Sequence, residues 1–409
     1  MAITSAFTNI ATTTRASKAW DPGAWDFVYG SAVGALVEYA ANAPRITSSG
    51  LLVEESSTNH ITNPRCEGST DGVIGAGGAM PTNWTTIADE GITEIVGSGT
   101  EDGWGYVDLR INGTPTADLQ YSFDASTAIV AADGQDWTSS VGLKISAGDT
   151  TNVDAIQWRL AERTSGGSLV QQETTTITGI DSTHRRFFLS RTLAGGVTVA
   201  RFIPQLYINW TSGAIDITLR IYAPQCENKA YPTSPVLPTA GVPQASTRAE
   251  EINYIALPAS FFDNDGMTIY CEVHGGGKSD AGRSVPWALY LSGSRRLYPY
   301  MSASAMVLWA YDGADVISDS TYGVSSTPEL HKICVYLSDN DVKWAAKSDS
   351  AAMAGVNELS PPRTLAMSTY NKLIIGGSNN IRQLNGYIKD LRAWPRELTD
   401  AEFLSLVGI

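Results

Sequence analysis

Apolar and polar residues alternate in short runs along most of the 409-residue chain, and Gly, Asn, Asp, Ser and Pro repeatedly interrupt them. A period of two is the signature of a strand with one buried and one wet face. Between 61 and 235 the pattern predicts strands over 106–111, 119–123, 137–145, 155–162, 169–178, 185–191, 198–208 and 215–222. Further on it predicts strands over 267–273, 286–292, 297–301, 306–311, 331–338, 342–346, 372–376 and 385–394. Asn112-Gly113 closes the first of these runs, and both residue types accept positive φ, so a hairpin turn is expected there. The polar loop Glu101–Gly105 predicts an exposed Trp104. A helical signal stands at the end: Thr399-Asp400-Ala401-Glu402 is a capping box ahead of Phe403, Leu404 and Val407.

Residues 1–60 differ. Their apolar pieces, 25–29, 32–39 and 51–53, are broken by Asp21-Pro22-Gly23, Gly30 and Ser48-Ser49-Gly50. That is too little apolar material for a core of its own, so this stretch is expected to dock on a neighbouring domain, a sister chain or a larger particle. Pro238 and Pro243 mark 236–247 as an extended linker, because proline fixes φ and removes a donor. The expected organisation is a docking segment (1–60), a β-sandwich (61–235), a linker (236–247) and a second β-sandwich (248–409), an all-β fold.

Composition narrows the function. Net charge is −14 and only 17% of residues are charged, while Gly (38), Tyr (17) and Trp (11) are plentiful. A negative surface repels phosphates, which argues against nucleic acid and anionic membranes as partners. The first residues lack a basic start and an apolar core, so export by a signal peptide is not expected. No apolar run reaches the length of a membrane-spanning helix. Cys66, Cys226, Cys271 and Cys334 have neither C-x-x-C spacing nor histidines at zinc-ligand spacing. Cys66 and Cys226 bracket the first sandwich; two separate reduced thiols are expected over a disulfide.

Several motifs carry a resemblance. Arg15-Ala16-Ser17, Ala43-Pro44-Arg45 and Gly50-Leu51-Leu52-Val53-Glu54-Glu55, then Thr58-Asn59 and Asn63-Pro64-Arg65, resemble the N-terminal segment of phage virion fibres of the head-spike type. Asn63–Glu67, Trp84, Ala223–Glu227, Tyr231–Pro235 and the exit Ser246-Thr247-Arg248-Ala249-Glu250 resemble a phage-borne, carbohydrate-binding-module-like jelly roll. Cys226 stands where that family usually has Leu. Leu384–Trp394 followed by Leu398–Glu402 is similar to the close of concanavalin-A/laminin-G-like sandwiches.

The resemblance implies a virion protein, assembled in the host cytoplasm and exposed on the particle as a head spike or fibre. Its partners would be capsid or tail proteins, sister chains in a homotrimer, and host-surface polysaccharide. A tail-fibre or tail-tip component, and a decoration protein that binds no glycan, are the alternatives.

Sugars are held by aromatic faces and by planar polar side chains. Candidate glycan contacts are Trp104, Trp158 and Arg159 in the first sandwich and Arg295, Arg296 and Tyr298 in the second. Candidate docking residues are Trp20, Trp25, Phe27 and Tyr29. Asp263-Asn264-Asp265-Gly266 reads as a turn and not a calcium loop, since the later ligand positions are missing. Asp312 and Asp341 are further carboxylates in the calcium range, but no motif fixes them, and no cofactor is expected. Glycosidases need a carboxylate pair at a set separation. Glu162, Glu272 and Asp390 are available without a spacing that selects two, so an enzyme is not expected.

Overall fold

A computed structural model describes residues 12–21, 29–125, 128–194, 196–257, 266–275, 284–292, 295–302, 305–312, 315–323, 329–359, 365, 367–377 and 383–409. The chain is all-β, with one α-helix, Asp400–Val407, among the described residues. It divides into two compact units. The central unit comprises Ala19–Glu38 and Ser57–Arg248; the terminal unit takes in the chain up to Lys18, Tyr39–Ser56 and Ala249–Ile409.

In the central unit, one seven-stranded sheet runs in the spatial order Ser31–Ala32, Arg185–Thr192, Asp136–Gly148, Ile215–Glu227, Trp104–Gly113, Thr93–Glu101, Gly72–Val73. A five-stranded sheet runs Leu169–Thr176, Val153–Arg163, Arg201–Trp210, Leu119–Ser122, Thr85–Ala88. Every pairing is antiparallel. Alternate residues of both sheets meet in one core: Val107, Leu109, Val141, Leu143, Leu219 and Ile221 from the first, Tyr121, Trp158, Leu160, Phe202 and Leu206 from the second. This is the sandwich that the two-residue period demands.

The hairpin turn lies elsewhere than the Asn-Gly signal indicates. Asn112 and Gly113 stay within a strand, opposite Asp216 and Ile215. Asp102 (φ 50°) and Gly103 (φ 85°) make the tight turn, and Glu101 pairs with Trp104 across it. Two consecutive positive φ values match the right-handed twist of the flanking strands. A Cβ on Gly103 would also meet the Leu36 carbonyl oxygen at 2.8 Å. Because the turn is only two residues long, Trp104 is a strand residue; it shares the sheet's outer face with Tyr106, Asp108 and Arg110 and is buried there beneath the segment around Gly34.

The terminal unit also has two sheets. One runs Thr12–Thr14, Ile252–Ala256, Lys372–Ile375, Trp287–Ser292, Arg295–Met301, Ala305–Asp312, Asp315–Gly323. The other runs Asn357–Leu359, Val342–Ser348, Leu330–Leu337, Met267–Gly275, Gly386–Trp394, Gly50–Val53, Arg45–Thr47. Leu51, Val53, Ile269, Val273, Trp287, Leu289, Val335 and Trp344 share its core. On the second sheet's outer face, Phe403 and Val407 of the helix pack with Tyr270 and Tyr336. The capping box forms as expected: Glu402 N donates to Thr399 Oγ1 at 3.3 Å and Thr399 N donates to Glu402 Oε2 at 2.7 Å.

The described part of residues 1–60 is divided between the units and forms no body of its own. Ser31–Ala32 extends the central unit's sheet and Ser57–Asn59 pairs with Ser246–Arg248. Thr12–Thr14, Arg45–Thr47 and Gly50–Val53 are strands of the terminal unit. Segments too short to bury a face alone gain one by completing sheets whose other strands come from distant sequence.

In the terminal unit, four charged side chains with no exposure fasten these strands. Arg15 and Arg45 both meet Glu251, the latter at 2.5 Å, and Arg45 also meets Glu54 at 2.7 Å. Arg15 spends its other donors on the carbonyls of Ser17 (2.9 Å), Ala43 (3.0 Å) and Ala40 (2.6 Å). Glu54 and Glu251 exchange backbone contacts too: Glu251 N reaches Glu54 O at 3.1 Å, and Glu54 N reaches Glu251 Oε2 at 3.2 Å.

Removing one partner of a buried ion cluster strands the others without compensation, at about 3–5 kcal/mol. Glu251→Ala is therefore expected to destabilise the protein by roughly that amount, seen as a lowered urea midpoint. Glu250→Ala, at the half-buried neighbouring position, serves as the comparison and is expected to shift the midpoint far less.

Candidate functional site

The outer face of the five-stranded sheet in the central unit carries an organised polar surface. Register places its outward positions in rows across the strands. One row is Thr176, Gln157, Tyr207 and Gln120; the next is Thr174, Arg159, Gln205 and Ser122. Beyond them come Gln172 with the fully buried apolar Ala161 and Ile203, then Leu169, Arg163 and Arg201. The inward partners of these positions, Trp158, Leu160, Phe202 and Leu206, lie in the core, so alternation itself sends the polar set outward.

The side chains on this face are held in place. The Arg159 guanidinium lies 3.6 Å from the centroid of the Tyr207 ring. Tyr207 OH donates to Asp118 Oδ2 at 2.9 Å, and the same carboxylate accepts from Asn209 Nδ2 (3.2 Å) and Trp210 N (2.8 Å). Burial first, and then the Asp118 carboxylate, push the Tyr207 hydroxyl above its ordinary pKa, so it stays a donor. Gln120 Nε2 donates to Gln205 Oε1 at 2.6 Å. Gln205 has no exposure, yet its Nε2 has no hydrogen-bond partner; Asn209 Oδ1 and the Nε atoms of Arg159, Arg163 and Arg201 are likewise buried without one. These atoms are covered by their own side chains and neighbours; the parts of this face open to solvent are the half-buried Gln120, Gln157, Arg159, Arg163, Arg201 and Tyr207 and the exposed Gln172, Thr174 and Thr176.

The two sheets treat charge differently. On the seven-stranded sheet, Arg110 meets Glu94 and Asp216 at 2.9 Å each, Arg220 meets Asp108 at 2.7 Å, and Lys144 meets Glu101 at 2.8 Å. On the five-stranded sheet, Arg159, Arg163 and Arg201 form no ion pair among the described residues. Arg163 Nη1 donates to Gly167 O at 2.8 Å and Arg201 Nη1 to Ala200 O at 2.9 Å, contacts that neutralise no charge. Burial, and then the nearby positive Arg159, pull the Arg163 guanidinium below its ordinary pKa.

Of the side chains singled out from sequence, only Arg159 belongs to this face. Trp104 is buried; its Nε1 donates to Gly34 O at 2.9 Å and its ring meets His184 edge-on at 5.2 Å. Trp158 is fully buried between the sheets, 5.1 Å from Phe123. Neither ring is open to a sugar: two-residue periodicity turns Trp158 into the core, and the segment around Gly34 with His184 covers Trp104 on the outer face. In the terminal unit Tyr298 is buried, while Arg296 lies 5.7 Å from the Trp309 ring. Arg295 begins a strand, but its side chain lies outside the described residues.

Among the candidate docking residues, Trp25 and Phe27 also lie outside them. Trp20 is buried with Arg65 over its ring at 5.7 Å, and Tyr29 packs edge-on against Phe187 at 5.4 Å. Both contacts are within the central unit. Tyr207, Gln205, Arg163 and Arg201 were missed as a set because strand register brings them together, and the strands they occupy are separated in sequence.

The other candidates are accounted for. Glu162 is buried against Arg191 at 2.6 Å and Gln171 at 2.9 Å. Glu272 and Asp390 are opposite one another in register, and Asp390 is paired to Arg392 at 2.6 Å. The four cysteines are free and buried, and burial pushes the Cys66, Cys226, Cys271 and Cys334 thiols up. Among the described residues no group of His, Cys, Asp or Glu has the arrangement of a metal site; Asp263 to Asp265 and the Asp312 side chain lie outside them. No described helix is long and apolar enough to cross a membrane.

No family model and no curated protein matches the sequence. Solved structures of both expected kinds are similar to parts of it. The CBM40 of Ruminococcus gnavus IT-sialidase, bound to α2,3-sialyllactose, is 12% identical over 36% of this chain and 83% of its own, with a TM-score of 0.27. A CBM4 structure is 15% identical over 41% of this chain and 99% of its own, with a TM-score of 0.26. Mouse laminin α1 domains LG4-5 are 10% identical over 66% of this chain and 89% of theirs, with a TM-score of 0.22. Likeness at this level carries no functional argument; the all-β architecture stands on the strand pairing itself.

The paired charges of the seven-stranded sheet set a pH dependence. Burial opposes ionisation of Glu101, but hydrogen bonds from Lys144 and Tyr222 and the charges of Lys144 and Arg220 hold its carboxyl down to about 2. A carboxyl depressed in the folded state stabilises it above the unfolded pKa, and that contribution is lost as pH falls through the folded value. Stability is thus expected to decline as pH drops from about 4.5 towards 2. Glu101→Gln is expected to flatten that part of a thermal-midpoint-against-pH profile.

Proposed function

We propose that this chain is a glycan-binding protein whose recognition surface is the outer face of the five-stranded sheet, and that it works on the surface of a phage particle. One observation carries the binding site: a row of half-buried planar polar side chains, Gln157, Tyr207 and Gln120, with the Arg159 guanidinium stacked on the Tyr207 ring. Planar amides and guanidinium groups are suited to reading ring hydroxyls, and a rigid ring beneath them limits the entropy lost on binding. The terminal unit's aromatic and arginine residues, Arg296 over Trp309 among them, are a lesser second candidate.

The virion reading rests on the motifs at Arg15–Ser17, Ala43–Arg45 and Gly50–Glu55. On it, capsid proteins anchor the chain as a head spike, sister copies make a trimer, and multivalency lifts weak single-site affinity. The host-surface polysaccharide is the ligand. Immunogold labelling of purified particles tests the location: label on the head supports a head spike, label on the tail indicates a fibre or tail-tip component, and unlabelled particles reject the virion role.

A glycan array with the intact protein tests binding. Retention of at least one bacterial surface glycan is expected, and Tyr207→Ala should weaken it by about tenfold, or roughly 1.4 kcal/mol, with the thermal midpoint checking that the variant still folds. An array with no retained glycan would leave a purely structural decoration role.

A further inference from the structure

The charge on the proposed face narrows the ligand class. In a chain of net charge −14, Arg159, Arg163 and Arg201 gather on one sheet face without a carboxylate partner among the described residues. Arg163 and Arg201 are directly opposed in register, and Arg159 lies four residues from Arg163 on the same strand and the same face. Opposed residues on neighbouring strands stand about 4.5–5.5 Å apart at Cβ, so two like-charged side chains leave the sheet side by side, and Arg159 adds a third positive charge that acts on Arg163. Such pairs destabilise a sheet unless something compensates them.

The outward rows around them contain Gln120, Gln157, Gln172, Gln205, Thr174 and Thr176, and no acid. Asp118, at one end of the face, is already engaged by Tyr207, Asn209 and the Trp210 backbone. The acidic groups near the edge strand do not answer the charge either. Glu173 is opposite Leu160 on the inward set and sits 3.7 Å from Arg191, as Glu162 does at 2.6 Å.

We propose that this face selects acidic glycans, sugars bearing a carboxylate or sulfate, over neutral ones, with Arg163 and Arg201 taking the anionic substituent and the amides of the half-buried Gln120 and Gln157 reading neighbouring hydroxyls. Guanidinium groups bind planar oxyanions with paired hydrogen bonds, which suits a carboxylate and accepts a sulfate. Arg159, Arg163 and Arg201 are each only partly buried, so part of each side chain is open to such a ligand. The inference rests on the glycan-binding reading above. A polynucleotide would offer oxyanions as well, but the chain's overall negative charge opposes it.

The experiment uses the intact protein and isothermal titration with oligogalacturonate, dextran sulfate, a neutral dextran oligomer and single-stranded DNA. The expected result is binding of at least one acidic glycan at least tenfold tighter than the neutral one, weakening as salt rises. Preference for oligogalacturonate identifies carboxylated sugars as the ligand, and preference for dextran sulfate identifies sulfated ones.

Arg163→Gln with Arg201→Gln is expected to lower acidic affinity by tenfold or more, and Arg201→Lys to lose less because it keeps the charge. The glutamine variants remove charge from a face with no ion pair to break, and thermal midpoints check that they fold. Equal affinity for acidic and neutral glycans, an unchanged double variant, or tighter binding of DNA would overturn the acidic preference and leave the glycan reading standing wherever a sugar still binds. Failure of every glycan, here and on an array, would overturn both.

Discussion

The terminal unit depends on one buried ionic cluster, in which Arg15, Arg45, Glu54 and Glu251 meet with no solvent exposure. Buried charges bring no large net stabilisation, because desolvation offsets most of the Coulombic gain. They do punish every arrangement that leaves one of them alone. That penalty is what a chain with short, weakly apolar strands needs. Thr12–Thr14, Arg45–Thr47 and Gly50–Val53 bury little by themselves, and any register that separated Arg15 or Arg45 from Glu251 would strand a charge in the core.

The central unit has a partly neutral counterpart. Glu227 accepts from Ser57 Oγ at 2.5 Å and from Thr233 N at 3.0 Å, Arg248 Nη1 donates to Ser234 Oγ at 2.9 Å, and Asn59 Oδ1 accepts from Cys226 N at 3.0 Å. Ser57–Asn59 is thereby tied to the last long strand and to the segment that follows it. Val236 and Leu237 are buried, so the proline-containing stretch lies in a fixed path here.

These contacts explain what was legible in the sequence and what was not. Period-two alternation marked every long strand that has a clear apolar face, and the capping box marked the helix, since both signals are local. The motif residues Arg15, Arg45, Glu54, Asn59 and Arg248 were visible as a pattern, but their role was hidden: Arg15, Arg45 and Glu54 meet Glu251, and Asn59 meets Cys226, across long stretches of chain. Thr93–Glu101 was missed because its outer half, Gly97 to Thr100, is too polar and small to show a face. Trp104 was misplaced because Asp102-Gly103 acts as a complete hairpin turn, leaving no loop for the tryptophan to occupy. The arginine face was hardest to see. What distinguishes Arg163 and Arg201 from Arg110 and Arg220 is the absence of an acid opposite, a property of register and not of either residue's neighbours in sequence.

The central claim is that recognition occurs on the outer face of the five-stranded sheet, while the signature motifs serve to hold the scaffold. A crystal structure of the protein with a bound oligosaccharide tests it most directly. The account predicts sugar density over the Arg159–Tyr207 stack, with an oxygen within hydrogen-bond distance of Arg163 or Arg201. Density confined to another surface, such as the Arg296–Trp309 region of the terminal unit, would contradict it.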